Sequence, residues 1–306
     1  MKLIISFFQL IRWQNLVFIL LTQLLFYVCV YGSLYPLEHS LHQMVWLMIA
    51  SVFIAGGGYI INDYFDLNID QVNKPNKNVI NAVINRRWAI LWHLLLSISG
   101  ILATAIAVSF EKWYLIFANI ACVLLLWLYS TSFKRQVLIG NFVISLLTAW
   151  SILIIFFAKV PFYAAFRASD AIDVKFFRVA FLYAGFAFVL SLIREVIKDV
   201  EDMEGDRRYG CKTLPIVAGL VATKIYATVW MVVILGALSV LQLYVLQFGW
   251  LWAVLYSTVL IIIPLIYLFI QHRAAVTTAD FARLSSLTKW IMLSGILSML
   301  FLIKYL

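Results

Sequence analysis

Long apolar segments recur along the whole chain and limit what it can fold into. Each is close to the roughly 17–25 residues that cross a bilayer as a helix. They show no period-2 alternation of apolar and polar residues, so helices rather than a closed barrel must satisfy the backbone in lipid. The sequence therefore predicts an all-α polytopic membrane bundle of nine transmembrane helices. The segments lie near 16–34, 43–61, 89–109, 113–130, 137–158, 177–194, 214–242, 247–270 and 286–305.

The composition agrees with a membrane protein. Of the 306 residues, 65% are hydrophobic and 12% are charged, whereas soluble domains average about 25% charged residues. The three cysteines lie far apart without a CxxC pair, and the four histidines are equally scattered, which argues against a disulfide framework or a zinc site. We expect one transmembrane domain over residues 1–306. No small-x-small cleavage site follows the first apolar run, so we expect it to be retained as a span.

Lysine and arginine are distributed unevenly between the two sides of this bundle. Of the 23 basic residues, 17 fall on the side that holds the N-terminus and the loops after spans two, four, six and eight. The positive-inside rule makes that side cytoplasmic, which predicts a multi-pass protein of the cell (inner) membrane. A basic face also suits anionic lipid headgroups, and we expect membrane lipids, not nucleic acid, as its partners.

Two acidic motifs interrupt the apolar pattern, both on the basic side. They hold nine of the 14 acidic residues, and in each of them three aspartates are spaced i, i+3, i+7. On a helix this spacing returns to nearly the same face, so we expect each trio to line one face or a helix end that runs into its loop. Mg²⁺ binds through one or two carboxylates plus substrate phosphates, so two opposed clusters predict magnesium held around a diphosphate. The predicted catalytic and metal-binding residues are Asp63, Asp66, Asp70, Asp199, Asp202 and Asp206.

Basic residues accompany both acidic motifs. Lys74 follows the first motif, Arg194 and Lys198 lie within the second, and Lys134 and Arg135 occupy the loop after the fourth span. The positive-inside rule explains any one of them alone. Their coincidence with the acidic loops favours an anionic substrate, and we expect them to bind it.

With both motifs in this order, the chain resembles the UbiA superfamily of intramembrane prenyltransferases over nearly its whole length. The first motif is an NDxxDxxxD sequence that begins at Asn62, and the second is DxxDxxxD. The resemblance implies a UbiA-type fold and Mg²⁺-dependent transfer of a polyprenyl group from its diphosphate. It also implies that the aspartates bind the Mg²⁺–diphosphate and that Lys134 and Arg135 contact the diphosphate. Arg12 and Asn15 match an Arg-x-x-Asn pair that faces the family's cavity.

The sequences flanking the motifs are most similar to those of digeranylgeranylglyceryl phosphate synthases. That similarity implies transfer of a geranylgeranyl group to geranylgeranylglyceryl phosphate, a step of ether lipid synthesis. After NKPNK, however, the chain continues NVINAVINRR, where those enzymes often have RPLPSG. This departure concerns the acceptor and leaves an alternative open, an aromatic quinone precursor of the 4-hydroxybenzoate or 1,4-dihydroxy-2-naphthoate type.

Two other classes share membrane-embedded acids. CDP-alcohol phosphotransferases place a Gly and an Ala-Arg soon after their first two aspartates, whereas LNID follows Asp66 here. A cation transporter would use the acids as ion ligands without chemistry. Transporters hold such groups near the bilayer midplane, while these acids cluster at one side, so the sequence favours a prenyltransferase.

Overall fold

The computed structural model describes residues 2–38, 40–73, 84–161 and 170–306, and its regular elements there are helices. Nine helices of these ranges are long and apolar enough to cross a membrane, which confirms the predicted all-α bundle. In chain order the helices are α1 (Lys2–Leu10), α2 (Trp13–Leu34), α3 (Leu41–Asn73), α4 (Arg86–Ala107), α5 (Tyr114–Thr131), α6 (Ile139–Lys159), α7 (Ala171–Glu201), α8 (Met203–Arg208), α9 (Leu214–Val217), α10 (Gly219–Leu246), α11 (Leu251–Ala274) and α12 (Thr278–Tyr305).

Two of the spans are much longer than the sequence predicted. Helix α3 has 33 residues and α7 has 31, which at 1.5 Å per residue makes each roughly 45–50 Å long. The apolar segments end near residues 61 and 194, but both helices continue into the acidic motifs. Because the hydrocarbon core is only about 30 Å thick, the first motif and the start of the second are held on rigid helix extensions at its edge.

Helices α3 and α4 form the most tightly packed pair, and glycine makes their close approach possible. A Cβ atom on Gly100 would lie 2.7 Å from Ile54 Cγ1 and 3.1 Å from the carbonyl oxygen of Ala50. On the facing helix, the carbonyl oxygen of Gly57 lies 2.9 Å from His93 Nδ1. Small residues let neighbouring membrane helices pack in this way, and the contact fixes the helix that carries the first motif.

The end of the bundle away from the motifs is filled by aromatic side chains. Phe26, Phe156 and Phe176 are completely buried. The ring centroids of Phe26 and Phe176 are 5.8 Å apart, and those of Phe156 and Phe176 are 5.3 Å apart. Such contacts favour a single packed arrangement, so this end of the protein supports the site at the other end.

The surface of the bundle is the reverse of a soluble protein's surface. Large apolar side chains such as Val221 and Leu243, each 73% exposed, cover the outer faces of the spans. Polar side chains such as Gln23 and Asn119 are buried between the helices. A large apolar surface requires an apolar environment, which identifies the chain as a multi-pass membrane protein.

Candidate active site

A cavity of about 1240 Å³ runs between the helices from the motif end of the bundle towards the opposite end. This volume exceeds the roughly 300–1,000 Å³ of an ordinary small-molecule pocket. Five of the six predicted aspartates line one end, namely Asp66, Asp70, Asp199, Asp202 and Asp206. Apolar and aromatic side chains, among them Leu238, Phe248 and Trp250, form most of the remaining lining. The cavity therefore combines a polar mouth with a long, largely apolar interior.

Asp66 of the first motif has two side-chain partners. It is buried, and its Oδ2 accepts a hydrogen bond of 2.8 Å from Asn62 Nδ2. Its Oδ1 contacts Lys134 Nζ, which a short 3₁₀ turn between α5 and α6 directs into the cavity. Burial lowers the pKa of Lys134 to about 8, although the charge of Asp206 acts in the opposite direction. The predicted residues Asn62, Asp66 and Lys134 thus lie together.

Asp63 has a different environment from the rest of its motif. Its Oδ1 accepts a hydrogen bond of 2.6 Å from Arg12 Nη2, and it does not line the cavity. The Arg12 guanidinium also lies 5.2 Å from the centre of the Tyr59 ring. Burial by itself lowers the pKa of Arg12, but Asp63 and Tyr59 hold that pKa above its ordinary value. Asp63 as a metal ligand stays a prediction, and its contact in this structure is with Arg12, the residue before α2.

The second motif is divided by a break between two helices. Asp199 lies in the last turns of α7, Asp202 lies in the turn that follows, and Asp206 belongs to α8. Asn141, at the start of α6, donates a hydrogen bond of 2.8 Å to Asp199 Oδ2. All three aspartates line the cavity, and they do so from a helix end that runs into a turn, which is one of the two arrangements that the spacing predicts.

Asn73 joins the two motifs. This last residue of α3 donates from its Nδ2 to the carbonyl oxygen of Asp202, at 3.0 Å. Its Oδ1 accepts from the backbone N–H of Gly205, at 2.9 Å. A Cβ atom on Gly205 would lie 2.5 Å from Asn73 Oδ1, so only glycine permits this approach. One side chain thereby fixes the separation of the two carboxylate groups.

The predicted cationic residues are divided between the cavity and its surroundings. Arg12, Asn15, Arg194 and Lys198 line the cavity together with the aspartates. Arg135 does not line it; its side chain is exposed, and its carbonyl oxygen accepts a hydrogen bond of 2.8 Å from the backbone N–H of Lys212. The prediction for Lys74 lies outside the described residues.

The arrangement of the carboxylates fits a shared metal site rather than a closed protein cage. Among the residues that the structure describes, no three His, Cys, Asp or Glu side chains group closely enough to hold a metal ion alone. Mg²⁺ commonly takes only one or two carboxylates and completes its coordination with water and substrate phosphates. The carboxylates of both motifs lie on one cavity, so they fit a magnesium diphosphate that enters between them.

Comparison with known proteins identifies the family. The model of the UbiA prenyltransferase family matches residues 11–293. The chain belongs to this family. Digeranylgeranylglyceryl phosphate synthase of Methanosphaera stadtmanae is 29% identical over 237 residues, which cover 77% of this chain and 78% of that protein. The chain is thus a prenyltransferase.

Solved UbiA structures share its architecture. A digeranylgeranylglyceryl phosphate synthase structure superposes with a TM-score of 0.65 at 24% identity, covering 99% of this chain and all of that one. A UbiA homologue of Archaeoglobus fulgidus, bound to DMAPP and Mg²⁺, gives a TM-score of 0.56 at 17% identity, with 98% of this chain and all of that chain covered. At these identities the likeness establishes the UbiA fold.

Within this UbiA fold, several side chains at the site are not among the residues predicted from the sequence. Asn141, Tyr59 and Lys289 all line the cavity, and Asn73 joins the motifs. The sequence could have identified Asn141 and Lys289 as site residues, because each is a polar residue inside an apolar segment and such residues are functional candidates. No sequence pattern could have identified Asn73, because its role depends on a contact with a residue 129 positions away in the chain.

Proposed function

We propose that the protein transfers a geranylgeranyl group from its diphosphate to the free hydroxyl of geranylgeranylglyceryl phosphate, with Mg²⁺ as cofactor. One observation carries the proposal: carboxylates from both motifs and the half-buried Lys134 meet at the mouth of a cavity whose interior is largely apolar. A diphosphate suits the mouth and an isoprenoid chain suits the interior. The similarity to the Methanosphaera stadtmanae enzyme supports the acceptor.

In this scheme the mouth binds the leaving group. Asp66, Asp70, Asp199, Asp202 and Asp206 would hold the magnesium, and Asp63 contributes through Arg12. When bound, the metal neutralises the charge that grows on the departing diphosphate. Lys134 Nζ adds a fixed positive charge to the same region. Asn62 and Asn141 orient the carboxylates of Asp66 and Asp199, with hydrogen bonds of 2.8 Å each.

The apolar interior governs the other half of the reaction. When the bond between C1 and the diphosphate oxygen breaks, the walls around C1 exclude water, so the acceptor hydroxyl captures the allylic carbon. Its proton passes to one of the cavity carboxylates. The volume of about 1240 Å³ leaves room for two lipid chains, which is what a reaction between two isoprenoids needs.

The rest of the chain supports this activity in a membrane. We propose that residues 1–306 act as one transmembrane domain in the cell membrane, with both motifs on the cytoplasmic side. The excess of lysine and arginine on that side supports the orientation. Arg12, Asn15, Arg194 and Lys198, which line the cavity, would bind the anionic substrates.

A transfer assay tests the proposed function. Purified protein in lipid receives labelled geranylgeranyl diphosphate with each acceptor in turn: geranylgeranylglyceryl phosphate, 4-hydroxybenzoate and 1,4-dihydroxy-2-naphthoate. We expect Mg²⁺-dependent product on the glyceryl phosphate lipid, and loss of that product in Asp66→Ala and Asp199→Ala. Product on an aromatic acceptor alone would overturn the proposed acceptor, and near-normal turnover by either variant would overturn the role of the motifs.

A further inference from the structure

The cavity extends along α7 far beyond the reacting groups. Its lining residues on this helix recur every three or four positions from Asp199 back to Ala171, the first residue of the helix. At about 1.5 Å per residue this stretch is roughly 40 Å long, which exceeds the roughly 30 Å of a hydrocarbon core. Phe176, on the opposite face of α7, belongs to the aromatic packing and does not line the cavity. One face of α7 therefore connects the aspartates to the other end of the bundle.

The far part of the cavity has its own walls. We call it the distal groove, and its lining residues lie within 171–187 of α7, 241–257 of α10 and α11, and 295–306 of α12. Most of them are apolar or aromatic. Trp250 and Tyr305 stack with their ring centroids 4.5 Å apart. Because Trp and Tyr collect where a membrane meets water, the groove ends at the level of the lipid headgroups.

Two cations lie at this outer end of the distal groove. Lys175 and Arg178, one turn apart on α7, line the groove and are exposed. Among the residues that the structure describes, Arg178 forms no ion pair. Lys175 Nζ donates a hydrogen bond of 3.4 Å to the main-chain oxygen of Leu306, longer than the roughly 2.7–2.9 Å of a strong charge-assisted bond. The two acids in the first turn of α7, Asp170 and Asp173, have other hydrogen-bond partners. Both cations can therefore bind an anion.

These cations are separate from the aspartate site. Arg178 and Asp199 lie on one continuous helix, and the rise per residue places them roughly 30 Å apart. A lipid tail crosses about half of the hydrocarbon core, roughly 15 Å. An isoprenoid chain of similar length that begins at the aspartates therefore ends well before Arg178, and the distal groove is left for a second apolar chain that enters from the opposite leaflet.

We propose that the distal groove binds one anionic phospholipid of the leaflet away from the motifs, with its phosphate at Lys175 and Arg178 and a tail along α7. Basic pockets between membrane helices bind anionic headgroups, and the planar guanidinium of arginine matches phosphate oxygens. The apolar walls of the groove suit the tail. This lipid site goes beyond the proposed function, because it lies at the opposite end of the cavity from the reacting groups and does not depend on the acceptor.

Native mass spectrometry of the full-length protein tests the site. The protein in a nonionic detergent is titrated with phosphatidylglycerol or with phosphatidylcholine of the same acyl chains. We expect one phosphatidylglycerol to bind about 10-fold more tightly than phosphatidylcholine, whose choline cancels the phosphate charge. The double variant Lys175→Gln, Arg178→Gln should weaken phosphatidylglycerol binding by about 10- to 30-fold, roughly five-fold for each basic residue near a headgroup. Its affinity for phosphatidylcholine and its rate of prenyl transfer should stay unchanged.

Two further variants separate the charges from the groove. Lys304 of α12 lies at the same end of the bundle, is exposed and does not line the cavity, so Lys304→Gln should leave phosphatidylglycerol binding unchanged. Leu182 of α7 lines the distal groove, and Leu182→Trp should fill the groove and weaken the binding of both lipids.

Three results would overturn the lipid site. The first is equal affinity of the wild type and the double variant for phosphatidylglycerol, and the second is an equal loss in Lys304→Gln. The third is displacement of phosphatidylglycerol by geranylgeranyl diphosphate, which would mean that the substrate fills the distal groove. None of these results affects the proposed function, which the transfer assay tests separately.

Discussion

Single amide side chains determine how the carboxylates of this site are presented. Asn62 and Asn141 each donate one hydrogen bond of 2.8 Å to an aspartate, Asp66 and Asp199 respectively. A carboxylate so bound keeps its remaining oxygen positions directed at the cavity. Loss of a residue that orients a metal-binding side chain typically lowers metal affinity or activity by about 10- to 100-fold.

We therefore expect Asn141→Ala to weaken magnesium use. The half-saturating Mg²⁺ concentration for prenyl transfer should rise by about 10- to 100-fold, the usual cost of losing an orienting partner, and excess Mg²⁺ should restore part of the rate. A Mg²⁺ titration of initial rates measures this. Asn68→Ala, at an exposed position of α3 outside the cavity, is the control, and an unchanged Mg²⁺ requirement in Asn141→Ala would contradict the orienting role.

Arg12 and Asp63 should act as one unit, because each is the other's closest charged partner, at 2.6 Å. Arg12→Gln and Asp63→Asn should each lower kcat/KM, while the double variant should be no slower than the slower single variant. Contacting residues commonly show coupling of roughly 0.5–3 kcal/mol in such cycles. Additive losses would mean that Asp63 acts independently of Arg12, as a direct metal ligand would.

The two motifs show how far sequence spacing predicts an element. Asp66 and Asp70 lie on one continuous helix and both face the cavity, as the i, i+4 relation predicts. The second motif has the other expected arrangement, a helix end that runs into its loop: α7 ends at Glu201, Asp202 lies in the turn that follows, and Asp206 belongs to α8. No proline marks this break. It is stabilised by Asn73 from α3, a tertiary contact that local sequence does not encode.

Breaking that contact should reduce activity without unfolding the bundle. Gly205→Ala places a Cβ atom against Asn73, at 2.5 Å in the present geometry, and pushes the two motifs apart. Since misplacement by about 1 Å can cost up to roughly 100-fold in rate, we expect a comparable fall in kcat. Thermal unfolding should change little, because the contact lies at the edge of the bundle.

The matched control for this substitution is Gly236→Ala on α10, where no atom lies within 4 Å of the added carbon. It should keep full activity. Asn73→Ala removes the same contact from the other side and should reproduce the loss seen in Gly205→Ala. Full activity in both of these variants would show that the motifs keep their separation without Asn73.

For the whole molecule, the sequence predicted the number of spans but not what lies between them. Hydropathy is a property of single segments, so all nine described spans were foreseeable. The cavity arises from the packing of many helices, so its depth and the inclusion of Lys289 required coordinates. Which end of the bundle faces the cytoplasm is not fixed by the fold. It depends on the positive charge summed over the loops.

That sidedness leads to a labelling prediction. Leu37, in the loop after α2, is 91% exposed, and Val276, in the loop between α11 and α12, is 73% exposed. The charge bias puts Val276 on the side with 17 of the 23 basic residues.

In intact cells a membrane-impermeant maleimide should label Leu37→Cys, and it should label Val276→Cys only after the membrane is opened. The native Cys29, Cys122 and Cys211 are buried, so labelling of the folded parent protein measures the background of the assay. The reverse pattern would place both aspartate motifs outside the cell, where the positive-inside rule does not allow them.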